Sequence, residues 1–212
     1  MKLSFVLIGE GSSDLRMVSH IENILITEGF SEVSGKPLEQ DRVGRTVFDK
    51  LLAARKLFPS AGLIIVHRDA DNAGSEARLR EINEAVNRMP EKFNTKVIPM
   101  VPVKMTEAWL LADRKIINRV AGNVDCDDEI RCIPPVKILE NRANVKELLL
   151  DALCEASGLE GGRLKPFKKR FGEMRARIME DLAVDGPQKE LPSYQAFRRE
   201  LKYFSSDLLS TE

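Results

Sequence analysis

The stretch "GLIIVHRDADNAG", Gly62 to Gly74, decides how this chain reads. Leu63 to His67 is an apolar run that ends on two aspartates one residue apart. A run of that length bounded by polar residues predicts a strand covered on both faces. In an open parallel sheet, ligands bind outside the carboxyl ends of the strands. Asp69 and Asp71 are therefore expected at a binding crevice. Two hard oxygen donors there suit Mg²⁺ or Mn²⁺ better than zinc. The plain alternative is a turn held by Asx-type hydrogen bonds.

Working outward, "KLSFVLIGEG" reads as a first buried strand ending at Gly9 and Glu10. Ser12 or Ser13 is expected to cap the next helix, with Val18, Ile21 and Leu25 at helical spacing up to Gly29. A short second strand is expected near Val33. From Thr46 a helix carries Val47, Leu51, Ala54 and Phe58 on one stripe, and Pro59 to Gly62 breaks it. After "DADNAG" a further helix places Leu79, Ile82, Val86 and Met89 three and four apart. "TKVIPMV" is a fourth strand whose Pro99 makes it an edge or a bent exit.

Strands alternating with helices imply an α/β fold with a parallel sheet. Beyond about Asp125 the pattern turns helical, in "NVKELLLDALCEAS", "RLKPFKKRFGEMRARIMEDLA" and "SYQAFRRELKYF". With no repeat or low-complexity linker, the expected organisation is an α/β core over 1–118 and a helical C-terminal extension over 119–212 packed on it.

Lys plus Arg and Asp plus Glu both total 33, so global charge argues for no polyanionic partner, and any such argument is local. Cys126, Cys132 and Cys154 lack a CxxC pair and have only His20 and His67 beside them, which speaks against a zinc site. They read as reduced cysteines. Glu10 cuts the N-terminal apolar run short of a signal-peptide core, and no later segment is long enough to span a bilayer. A soluble cytoplasmic protein is the expectation.

Glu10 and the Asp69/Asp71 pair each follow a buried strand. Carboxylates converging there repel one another unless a cation or protons intervene. For Glu10 and Asp14 the plain alternative is helix-start chemistry at the positive end of the dipole. In "KMTEAWLLAD", Thr106 is expected to cap a helix and place Glu107 in its first turn near the other acids. Trp109 reads as core rather than a base-stacking platform, and His67 as a packed neutral histidine rather than a proton shuttle. From Arg163 to Arg177, seven basic residues surround Phe167 and Phe171. Arg163, Lys165, Lys168, Lys169 and Arg170 read either as a solvated helix face or as a phosphate-binding surface.

The pairing of Glu10-Gly11 after the first strand with Asp69-Ala70-Asp71 after the third resembles the Toprim superfamily. "EGSSD", "HRDAD" and "MTEAWLLAD" together are most similar to small stand-alone Toprim-like proteins related to the overcoming-lysogenization-defect nucleases and often found with phage-defence genes. The resemblance covers roughly residues 1–118. It implies a Rossmannoid core in which Glu10 ligates metal or serves as general acid or base and Asp69 and Asp71 hold Mg²⁺. Asp14 and Glu107 would complete or support a second metal position. A further ligand matches Ser75 or Glu76, and a catalytic basic group matches Lys104. The implied activity is metal-dependent hydrolysis of DNA or RNA phosphodiesters, with nucleic acid as partner and room for a partner protein such as an ATPase. Two rivals stand beside it: a DxD nucleotide-sugar transferase, which gives Glu10 no role, and a non-catalytic metal-dependent binding subunit of a defence or toxin system.

Overall fold

The computed structural model describes residues 1–39, 43–90, 93–123 and 129–210, so Cys126 lies outside the described residues. The elements run β1 (Lys2–Ile8), α1 (Val18–Thr27), β2 (Glu32–Pro37), α2 (Val47–Leu57), β3 (Leu63–His67), α3 (Ser75–Asn87) and β4 (Lys96–Met100). Six more helices follow: α4 (Glu107–Leu110), α5 (Arg114–Ala121), α6 (Val145–Ser157), α7 (Leu164–Lys169), α8 (Phe171–Asp181) and α9 (Pro192–Leu209).

The four strands form one sheet in the order β2-β1-β3-β4, and every pair is parallel. The chain steps from β1 outward to β2, then returns past β1 to build β3 and β4 on the other side. The order therefore reverses between β1 and β3, where a doubly wound sheet opens a crevice at its carboxyl edge. Glu10 leaves β1 and Asp69 leaves β3 on either side of that reversal. Pro99 sits in β4, an edge strand as its missing N–H requires.

Both faces of the sheet are covered. Phe5 and Leu7 of β1 with Leu63 and Ile65 of β3 pack against α1 and the helices of the C-terminal half. Their alternates Val6, Ile8, Ile64 and Val66 pack against Val47, Leu51 and Ala54 of α2 and Ile82 and Ala85 of α3. This two-sided burial is why β3 is a continuous apolar run and not an alternating one. The first core is shared, because Trp109 of α4, Leu149 of α6, Ile178 of α8 and Phe197 of α9 belong to it with the strands. At the β2 edge Gly35 is required by close approach, since a Cβ there would lie 2.5 Å from the Phe5 ring.

Several local expectations are corrected. Neither Ser12 nor Ser13 caps α1; a 3-10 turn over Asp14–Met17 precedes the helix, and the Ser13 hydroxyl contacts Asp14 instead. Thr106 stands at the start of α4 without a side-chain capping bond, because its hydroxyl is drawn to Asp69 and His67. The long basic helix is two helices, broken at Arg170, with Phe167 buried on the first and Met174, Ile178 and Met179 on the second. On α3, Leu79 is 36% exposed, because Ile82 and Ala85 make the contact with the sheet. The helix from Thr46 forms as expected, and Thr46 caps it, accepting from the Asp49 N–H at 3.1 Å. No helix among the described residues is long and apolar enough to cross a membrane.

Candidate functional site

The carboxyl ends of β1 and β3 gather a dense set of charges. Glu10 turns toward the DxD segment, its Oε1 lying 3.1 Å from Arg68 Nε. Burial raises the Glu10 carboxyl above its usual range and Asp69 adds to this, against the opposing pull of Arg68, His67 and Arg78. Asp69 is buried at the strand end. Its Oδ1 accepts from the Thr106 N–H at 3.0 Å and from the Thr106 hydroxyl at 3.3 Å. All the side-chain contacts of Asp69 fall on Oδ1, which leaves Oδ2 as the oxygen to offer a ligand.

His67 is fully buried between two aspartates. Its Nε2 lies 2.8 Å from Thr106 Oγ1 and 3.3 Å from Asp69 Oδ1, and its Nδ1 lies 3.6 Å from Asp14 Oδ2. Because the Thr106 hydroxyl donates to Asp69, the imidazole Nε2–H donates to Thr106. Burial disfavours the imidazolium, yet the bond to Asp69 and the charges of Asp69, Asp14 and Glu10 outweigh it and raise the His67 pKa. His67 is thus packed as the sequence predicts, with two aspartates beside it that favour its charged form.

The other acids also have basic neighbours. Asp14 Oδ1 meets Arg175 Nη2 at 3.3 Å, and Glu107 Oε1 meets Arg175 Nε at 2.7 Å. Burial works against the Asp14 carboxylate, but His67, the Gly11 N–H and Arg175 together hold its pKa below the usual aspartate range. Asp71 faces Arg78 at 4.0 Å, and Glu81 of α3 holds both arginines, Arg68 at 3.1 Å and Arg78 at 3.2 Å. Lys50 of α2 donates to the Gly9 carbonyl at 2.8 Å. Burial first and Arg68 next lower its pKa. Six carboxylates (Glu10, Asp14, Asp69, Asp71, Glu81, Glu107) thus meet four permanent or near-permanent cations (Lys50, Arg68, Arg78, Arg175) and His67.

This interleaving explains why, among the described residues, no three His, Cys, Asp or Glu side chains stand together as a ready metal cage. The donors fit one hydrated divalent ion nonetheless. Mg²⁺ is ordinarily held by one or two carboxylates plus waters and substrate phosphate. Asp69, with Oδ2 spare, and Glu10, whose Oε1 an incoming ion would share with Arg68 at 3.1 Å, are such a pair at adjacent strand ends. Asp71 lies two residues on with its side chain about half exposed.

Of the other expected residues, Lys104 stands in the loop after β4 with a left-handed backbone, φ 64°. Ser75 begins α3, and Glu76 is exposed in its first turn. Arg163, Lys165, Lys168, Lys169 and Arg170 are all exposed, whereas Phe167 is buried and Phe171 half-buried, so the rings and these five bases divide as expected. Trp109 is fully buried, its indole N–H donating to Ser193 at 2.8 Å. The described cysteines, Cys132 and Cys154, are free, and burial pushes their thiols up, Cys132 to about 12.

Sequence reading missed Arg175, which it counted only as one of the seven basic residues from Arg163 to Arg177. The signal was present. Arg175 lies three and four residues before Ile178 and Met179, on the apolar stripe of α8. Lys50 sits likewise between Val47 and Ala54 on the buried stripe of α2. Comparison with family models, curated proteins and solved structures finds no match to this chain.

Proposed function

We propose that the chain is a Mg²⁺- or Mn²⁺-dependent nuclease that hydrolyses DNA or RNA phosphodiesters, a Toprim-like protein with a role in phage defence. The observation that carries the reading is that Glu10 and Asp69 follow the two neighbouring strands at the reversal of strand order, with Glu10 paired to Arg68, the residue before the DxD segment. When bound, the cation supplies positive charge to the phosphoryl group as negative charge builds there.

This chain's residues then divide the remaining work. Asp69 and Asp71 hold the cation. Glu10 shares it, or takes the proton of the water that attacks phosphorus, a role suited to a carboxyl raised by burial. As the P–O bond to the leaving sugar oxygen breaks, that oxygen needs a proton or a neutralising charge, and the Lys104 ammonium supplies it. Asp14 and Glu107 support the site through Arg175. The exposed bases Arg163, Lys165, Lys168, Lys169 and Arg170 hold the nucleic-acid backbone; Arg170 starts the helix that carries Arg175, about 8 Å away along its axis.

The test is incubation of the purified protein with mixed RNA and DNA in Mg²⁺, Mn²⁺ or EDTA, beside Glu10→Gln and Asp69→Asn. Cleavage with divalent ion, lost in EDTA and in both variants, is expected. Full cleavage by Asp69→Asn overturns the mechanism.

One observation favours a second reading. Glu10, Asp14, Asp71 and Glu107 each already have an arginine neighbour, which suits a metal-dependent subunit that binds a partner protein or nucleic acid without cutting it. Divalent-ion binding with no cleavage of either nucleic acid selects it.

A further inference from the structure

Two positions at the strand ends differ in what already fills them. At the first, Asp69 keeps Oδ2 outside its hydrogen bonds, and Glu10 Oε1 lies 3.1 Å from Arg68 Nε, a guanidinium that Glu81 of α3 also holds. At the second, a single guanidinium bridges Asp14 and Glu107, while Glu107 Oε2 is buried without a hydrogen bond. Asp14 Oδ1 meets Arg175 at 3.3 Å, and Asp14 Oδ2 accepts from the Gly11 N–H at 3.1 Å with His67 Nδ1 at 3.6 Å. Glu107 Oε1 receives Arg175 Nε at 2.7 Å. Both acids are buried, with side chains only 8% and 1% exposed, and Arg175 is nearly as enclosed at 10%.

We infer that Arg175 is a positioning residue that takes the place of a second divalent cation between Asp14 and Glu107, so that the centre binds one divalent ion and not two. The inference rests on the nuclease reading above and specifies its charge inventory. A guanidinium suits the role because it stays charged at any pH the fold experiences and its fork bridges two carboxylates in fixed geometry. A divalent ion entering between Asp14 and Glu107 would have to displace a positive group tied to the backbone of α8. The C-terminal half therefore contributes to the chemistry as well as to the core.

Calorimetric titration of the full chain with Mn²⁺, without nucleic acid, tests this beside Arg175→Met, which keeps much of the side chain's bulk and removes the charge. The wild-type chain is expected to bind one equivalent. Arg175→Met is expected to gain a second, with Mn²⁺ raising its melting temperature more than it raises the wild type's. A merely structural arginine would leave the stoichiometry unmoved. Two equivalents in the wild type, or one still in a folded Arg175→Met, overturn the inference and leave the nuclease reading standing. No binding by the wild type overturns both. Should Arg175→Met fail to fold, the wild-type stoichiometry still decides between one ion and two.

Discussion

The Asp71 N–H donates to the Lys104 carbonyl at 2.9 Å, and both residues hold left-handed backbone, with φ 46° and 64°. The loop after β3 and the loop after β4 are thus pinned to each other by two residues in a region that L side chains rarely adopt. Aspartate tolerates this conformation through its short polar side chain, whereas lysine does not. Strain of this kind persists where surrounding structure imposes it and gathers at functional sites.

Lys104→Gly should therefore be more stable than Lys104→Ala by about 1 kcal/mol, because glycine relieves the backbone strain and alanine keeps it. The hydrogen bond from Asp71 survives both, being made to a main-chain oxygen. If the ammonium serves the leaving group, both variants lose cleavage alike. Denaturant melts beside a cleavage assay separate the two effects, and full activity in Lys104→Ala removes Lys104 from the chemistry.

Arg175→Ala should destabilise the metal-free protein by roughly 3–5 kcal/mol, since it leaves Asp14 and Glu107 buried without their cation. Arg170→Ala, whose pair with Glu173 is exposed on both sides, should cost at most about 0.5 kcal/mol. Chemical denaturation of the two variants is the check. Equal losses would mean that burial of the Arg175 pair has no energetic consequence.

Stability should fall in mild acid because of His20. This imidazole is fully buried, its Nδ1–H donating to the Leu182 carbonyl at 2.9 Å and its Nε2 lying 2.9 Å from the Tyr194 hydroxyl. Burial first, with Arg198 adding, lowers its pKa from 6.5 to about 4 against the opposing bond to Leu182. The folded state therefore keeps His20 neutral where the unfolded chain protonates it. Its contribution is complete above pH 6.5 and is lost as pH falls toward 4, in all about 3 kcal/mol. His20→Gln should flatten the stability profile across that window, and an unchanged slope would place the acid sensitivity elsewhere.

Replacing Lys168, Lys169 and Arg170 with Gln should weaken nucleic-acid binding and reduce its salt dependence by about one unit of slope for each phosphate that the chain no longer neutralises. Binding measured across a salt series checks this. An identical slope would make the run a solvated helix face.

The parallel sheet was readable because strand length, apolar continuity and the Gly and Pro breaks around Leu63–His67 are local. The positions of Glu10 and Asp69 followed from them, since both are fixed by where a strand stops. Thr106 was misread because a hydroxyl at a helix start has a local partner in the backbone and here prefers a tertiary one, Asp69. Arg175 was misread because charge counting treats a basic run as one surface, whereas helix periodicity sends one member inward. His67 depended on knowing which carboxylates close around it, and those come from β1's loop as well as its own strand.

The ion pair between Asp14 and Arg175 joins positions 161 residues apart in the chain. Bringing such distant segments together costs loop-closure entropy that must be met before the pairing rewards it. A ribosome releasing this protein from its amino end exposes Glu10, Asp14 and both DxD aspartates long before α8 emerges. Throughout that interval the nascent chain carries its acids without the guanidinium that later sits among them, so the charge balance of the centre is completed only once α8 has emerged.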